Sequence, residues 1–165
     1  RLFGLIKKKA LMIKINVISN NINWTKYLKD PNSFISKKVK LINSKNKLYE
    51  KNTLTCSLLL TETSEIKKLN KKFRNKNKST DVLSFPFYKK DELKKKIKKE
   101  KEVYLGDIVI NLKKIKNKNN KFFFINNLNK LWIHGLVHLF GHRHKKDKDY
   151  YNMKKIEEKY LEYIS

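Results

Sequence analysis

The sequence predicts an α/β (α+β) domain, a small mixed β-sheet of about four strands covered by helices. Three observations carry that reading. Strand-like and helix-like segments alternate along most of the chain; the run 53–61 is apolar and rich in β-formers; and the stretch that begins at Lys121 is too apolar for anything but a buried helix. At 165 residues and 19.8 kDa the chain has the size of one domain.

The first strand is expected at 12–18, where Ile13, Ile15 and Val17 alternate with Lys14 and Asn16. The single domain is placed at 12–165, and residues 1–11, interrupted by Lys7, Lys8 and Lys9, form an N-terminal extension outside it. Phe34, Ile35, Val39, Leu41 and Ile42 give helical spacing over 32–48. The run 53–61 reads as a central strand with Cys56 in the core. A helix opens near Thr63, capped by Thr61 or Thr63. Ile66, Leu69, Asn70 and Phe73 lie on one side of it, and it stops in the polar stretch 74–79. Residues 80–87 read as a strand in which Pro86, with no N–H to donate, sits at the end or on an edge. The lysine-rich insertion 89–101 reads as a solvated loop or surface helix. A strand at 104–110 and a polar helix or loop at 111–120 follow. The apolar helix from Lys121 is ended by Gly141, and a last amphipathic helix runs from about 148 to 164.

Basic residues outnumber acidic ones 41 to 15, for a net charge of +26. Such a balance points to nucleic acid or another anionic partner. All the basic residues except Arg1, Arg74 and Arg143 are lysines, Asn is abundant and Ala10 is the single alanine. A coding bias toward AT-rich codons produces the same skew, so the charge permits RNA binding without establishing it. The single cysteine, Cys56, excludes an internal disulfide framework and suits a reducing compartment. No apolar run approaches the roughly 20 residues of a membrane span. These features point to a cytoplasmic location without a membrane partner, with an organellar matrix or stroma as the alternative.

All four histidines, His134, His138, His142 and His144, lie within one short segment. His134 and His138 are four apart on the buried helix, so their rings leave one face and can share an ion. The turn allowed by Gly141 brings His144 back toward them, giving three neutral nitrogen ligands and a fourth position open to water. His142 is the poorer third ligand. Ligands at i, i+4 and i+8 of a straight helix span about 12 Å at 1.5 Å per residue, too far for one ion; His142 therefore reads as exposed or as supporting a ligand. Gly135 stands where a His-Glu-x-x-His metalloprotease carries its general base, so protease chemistry is disfavoured. Three neutral ligands leave zinc its full charge, which suits an anionic substrate such as a phosphodiester. No general acid or base is apparent. Asp81 and Asp107 read as strand caps or as carboxylates supporting the ligand histidines.

Four segments together resemble the YbeY-type rRNA-maturation endoribonucleases: Leu69-Asn70-x-x-Phe73-Arg74, Thr80-Asp81-Val82-Leu83-Ser84-Phe85-Pro86, Leu105-Gly106-Asp107-Ile108-Val109-Ile110, and His134-Gly135-x-x-His138-Leu139-x-Gly141-x-x-His144. The closing Met153-x-x-x-Glu157 resembles that family's final helix. The resemblance implies a zinc-dependent, single-strand-selective endoribonuclease acting in small-subunit rRNA maturation and ribosome quality control. Its partners would be ribosomal RNA and the small ribosomal subunit. It also implies one zinc ion on His134, His138 and His144, and a catalytic arginine at Arg74, whose planar guanidinium suits a phosphate. The lesser reading of Arg74 by itself is a surface charge at a helix end. The chain departs from the family's Gly-Tyr-Asp-His at Gly141-His142-Arg143-His144. Arg143 in place of the acid either removes a group that orients a ligand or adds a charge that contacts RNA. The competing readings are a non-catalytic ribosome-assembly factor with a structural zinc, and a metal-dependent hydrolase of another substrate.

Overall fold

Strand β2 (Thr53–Thr61) sets the layering, because its alternation is cleanest. Leu54, Cys56, Leu58 and Leu60 are buried on one face, while Thr55, Ser57 and Leu59 are half-buried on the other. The computed structural model describes residues 12–45, 52–144 and 146–165. The extension at 1–11 and the last residues of the helix expected at 32–48 lie outside the described residues.

Four strands form one sheet, β1 (Met12–Ser19), β2, β3 (Val82–Pro86) and β4 (Glu102–Asn111), in the order β1-β2-β4-β3. β1, β2 and β4 run parallel and β3 is antiparallel to β4, so the sheet is mixed, as expected. The helices are α1 (Pro31–Lys45), α2 (Thr63–Arg74), α3 (Lys90–Lys99), α4 (Lys121–Leu139) and α5 (Asp147–Ile164). The main core lies where α1 and α4 cover one face of the sheet and α5 packs on both of them, around Leu58, Ile108, Trp132 and Leu136. A smaller cluster of Ile66, Leu83 and Val109 lies under α2 on the other face. Burial pushes the Cys56 thiol up to about 12, in keeping with a core residue.

Three local features position the site. In β4 the register against β2 shifts at Thr55/Cys56, so Leu105-Gly106 makes a bulge. Gly106 has φ 130°, and a Cβ there would stand 2.1 Å from the Phe85 carbonyl oxygen, which only glycine avoids. Pro86 ends β3, an outermost strand, so its missing N–H costs no ladder bond. Gly135 brings α4 directly onto the sheet: a Cβ there would meet Ile108 Cγ2 at 2.6 Å and Ser84 Oγ at 3.2 Å. Gly135→Ala is expected to lower stability by about 1–3 kcal/mol through overpacking, read as a lower urea midpoint at unchanged slope.

Three details differ from the sequence reading. The insertion 89–101 holds α3, whose Leu93 is buried and whose Ile97 packs on the core, so this surface helix is anchored. A short 3-10 turn at Ile22–Lys26, unmarked by periodicity, buries Trp24, whose indole N–H donates to the Thr61 carbonyl at 3.0 Å. The first turn of α4 leaves Phe122 and Phe123 exposed, and only Phe124 of that aromatic run packs, against Trp24 and Tyr27.

Candidate metal centre

One turn of α4 carries His134 and His138, with ring centroids 4.5 Å apart. Beyond α4 the chain reverses at Gly141, which has φ 87° and donates its N–H to the His138 carbonyl at 2.9 Å. The first turn of α3 closes on this reversal, for a Cβ at Gly141 would lie 2.9 Å from Lys90 Cα. The reversal returns His144 to 5.1 Å from the His138 ring and 5.9 Å from the His134 ring. One ligand atom from each of the three lies within 4.8 Å of the others. The structure thus brings His144, and not the His142 side chain, to the pair.

Hydrogen bonds fix the tautomers. His138 Nδ1 lies 2.9 Å from the His142 carbonyl, which can only accept, so the proton is on Nδ1. His134 Nδ1 lies 2.7 Å from Glu157 Oε1 and donates to that carboxylate. When both rings are neutral, as ligation requires, each Nε2 presents a lone pair, and the two Nε2 atoms are 3.1 Å apart. Two lone pairs at that distance repel unless a cation lies between them. Ligand arms of 2.0–2.1 Å at a tetrahedral angle would place two nitrogens roughly 3.4 Å apart, close to what is seen. Burial, followed by the neighbouring His134, lowers the His138 pKa to about 4, which keeps that ring neutral and able to ligate near pH 7. The three imidazoles therefore fit a divalent ion of the zinc, copper or nickel type.

Glu157 was visible in the sequence as part of the closing motif, but not as the partner of His134. The structure joins them across α4 and α5. Neither Asp81 nor Asp107 supports a histidine: Asp81 Oδ1 accepts from the Val82 N–H at 2.8 Å, capping β3, and Asp107 Oδ1 accepts from the Tyr104 hydroxyl at 2.6 Å. His142 supports His138 through its backbone carbonyl alone, a role that leaves no mark on its residue type. Glu157→Gln is expected to weaken metal affinity about 10–100-fold by removing the acceptor that orients His134, measured by competition with a chelator of known affinity.

The triad opens on a cavity of about 750 Å³ that His138 and His144 border together with Arg74, Lys89, Lys90 and Arg143. Arg74 is the last residue of α2. Its Nη2 donates to the Ser84 carbonyl at 2.7 Å, and its guanidinium lies 5.5 Å from the centre of the Phe85 ring. One N–H is thus spent on anchoring, and other donors of the fork remain for a ligand. The sequence placed Arg74 in the polar stretch where the helix stops; the structure makes it the last residue of α2, anchored at the rim. Gly135 faces the sheet, where Glu in place of glycine could not fit, so the metalloprotease base is excluded by packing as well as by residue type.

The family described as Endoribonuclease YbeY matches residues 17–165. An endoribonuclease YbeY of Pelagibacter ubique is 43% identical over 155 residues, covering 93% of this chain and 97% of the relative. The endoribonuclease YbeY of Ehrlichia chaffeensis is 31% identical over 153 residues, covering 92% of each. The solution structure of TM1509 from Thermotoga maritima superposes with a TM-score of 0.54 at 26% identity, over 92% of this chain and 89% of that one. Since the match takes in the histidine triad, Arg74 and Glu157 alike, and the relatives are covered over nearly their whole length, the chain belongs to the endoribonuclease YbeY family.

Proposed function

We propose that this chain is a zinc-dependent endoribonuclease, selective for single strands, that acts in small-subunit rRNA maturation and ribosome quality control. Its partners are then ribosomal RNA and the small ribosomal subunit, and its place of action the cytoplasm. Among the described residues no helix is long and apolar enough to cross a membrane. The observation that carries the proposal is the coupling of a three-ligand cluster to a cationic cavity. A structural zinc takes four protein ligands, whereas here three histidines converge and Glu157 is engaged by the outer nitrogen of His134.

A zinc ion on His134, His138 and His144 would supply Lewis-acid charge at the scissile phosphate and bring the pKa of a water molecule toward about 7. The chain's own residues do the rest. Arg74, held by Ser84 and Phe85, aims charge at the phosphate as it gains negative character. Lys89, Lys90 and Arg143 neutralise neighbouring phosphates along the cavity. Arg143, where the resemblance expects an acid, fits a phosphate contact better than a histidine partner, because His134 and His138 already have theirs.

The test is cleavage of a small-subunit rRNA precursor by chelator-stripped protein reloaded with zinc, alongside elemental analysis and a fully double-stranded control. Zinc-dependent cleavage of the single-stranded regions is expected. Stoichiometric zinc with no cleavage would instead favour the non-catalytic assembly factor.

A further inference from the structure

The histidine triad is bordered by two cavities, and the arrangement above uses one of them. A second, of about 300 Å³, lies against His134 and His144, with Tyr150, Met153, Lys154 and Glu157 of α5 on its other side. His144 borders both cavities. The triad therefore stands between two openings instead of at the bottom of one.

A phosphodiester joins two nucleosides, so RNA whose phosphate rests at the triad must leave in two directions. The Arg74 cavity receives one side. The second cavity has the chemistry for the other. Tyr150 is 51% exposed and meets Tyr151 edge-on at 5.8 Å, which leaves ring surface free for a base. Lys154 lies one turn further along α5, on the same face, and among the described residues its ammonium has one ion-pair partner, the Glu158 carboxylate at 4.0 Å. Met153 is a buried apolar floor. The acid of this cavity, Glu157, is engaged by His134 Nδ1.

Resting on the endoribonuclease reading above, we propose that Tyr150 and Lys154 form the subsite for the nucleotide across the scissile phosphate from the Arg74 cavity. Tyr150 stacks on its base and Lys154 pairs with its phosphate. A base held in a duplex hides both faces, so the subsite selects unpaired RNA.

The experiment takes the zinc-loaded full chain and a short single-stranded RNA, with copies made abasic in turn at each position flanking the cleavage point. Wild type is expected to lose about tenfold in kcat/KM for an abasic residue in the Tyr150 subsite. Tyr150→Ala loses about the same on intact RNA and no longer responds to that abasic position, while Tyr150→Phe, which keeps the ring, behaves as wild type. Lys154→Ala lowers the slope of log affinity against log salt by about one. Zinc content and melting temperature stay at wild-type values in all three variants. Tyr150→Ala with wild-type cleavage, or with undiminished sensitivity to abasic residues on both sides, overturns the subsite. If zinc-loaded wild type cleaves nothing, the endoribonuclease reading is what fails; fluorescence anisotropy with the same RNAs then reads the subsite alone, and unchanged binding by Tyr150→Ala overturns it.

Discussion

His138→Ala is expected to lose both bound zinc and RNA cleavage. His138 is half-buried beside His134 and His144, and its neutral form follows from that burial. Removing it leaves two imidazoles, neither of which can close a three-ligand set, and also frees the His142 carbonyl that its Nδ1 holds at 2.9 Å. The turn carrying His144 then loses a tether. The informative contrast is His142→Ala, which deletes a side chain but keeps the carbonyl, and so should retain zinc and cleave RNA. Elemental analysis of His134→Ala, His138→Ala, His142→Ala and His144→Ala measures this directly. Zinc lost from His142→Ala but kept by His144→Ala would sink the proposed ligand set.

Arg74→Lys should retain zinc and yet fall well below wild type in turnover, by about a hundredfold or more if the guanidinium stabilises charge as an oxyanion-hole donor does. Lysine keeps the positive charge but not the planar fork, which can hold the Ser84 carbonyl with one N–H while presenting others to a phosphate. Stability responds differently from what the sequence suggests. An unanchored surface arginine could be replaced at almost no cost, but the bond to Ser84 contributes about 0.5–1.5 kcal/mol, so Arg74→Ala should melt slightly lower. Cleavage rates and thermal melts on Arg74→Lys and Arg74→Ala separate the two effects. A fully active Arg74→Ala protein would remove this residue from the reaction.

The local part of this structure is legible in the residues, because local periodicity records which face of an element is buried. The alternation of β2, the apolar α4 and the i, i+4 pair of histidines all follow from spacing, and Pro86 at an edge follows from its missing donor. Gly141 followed three residues later by His144 is enough to expect the third ligand. The short turn that buries Trp24 has no periodicity to read, and the fate of 89–101 depends on Leu93 and Ile97 finding the core. In α4 the apolar content at 122–123 promised burial, but a side chain is buried only where another element covers it.

The fold class and the i, i+4 pair of histidines are legible in the residues, since each shows as a repeat within a single helix or strand. The strand order β1-β2-β4-β3, the pairing of His134 with Glu157 across 23 residues, the His142 carbonyl in place of Asp81 or Asp107 as the partner of His138, and the second cavity beside the triad all depend on how distant elements pack. The reason is physical. A helix or strand selects its buried face through a repeat along the chain, whereas a carboxylate can orient any histidine within reach, and which one comes within reach is set by how α5 packs against α4 and α1.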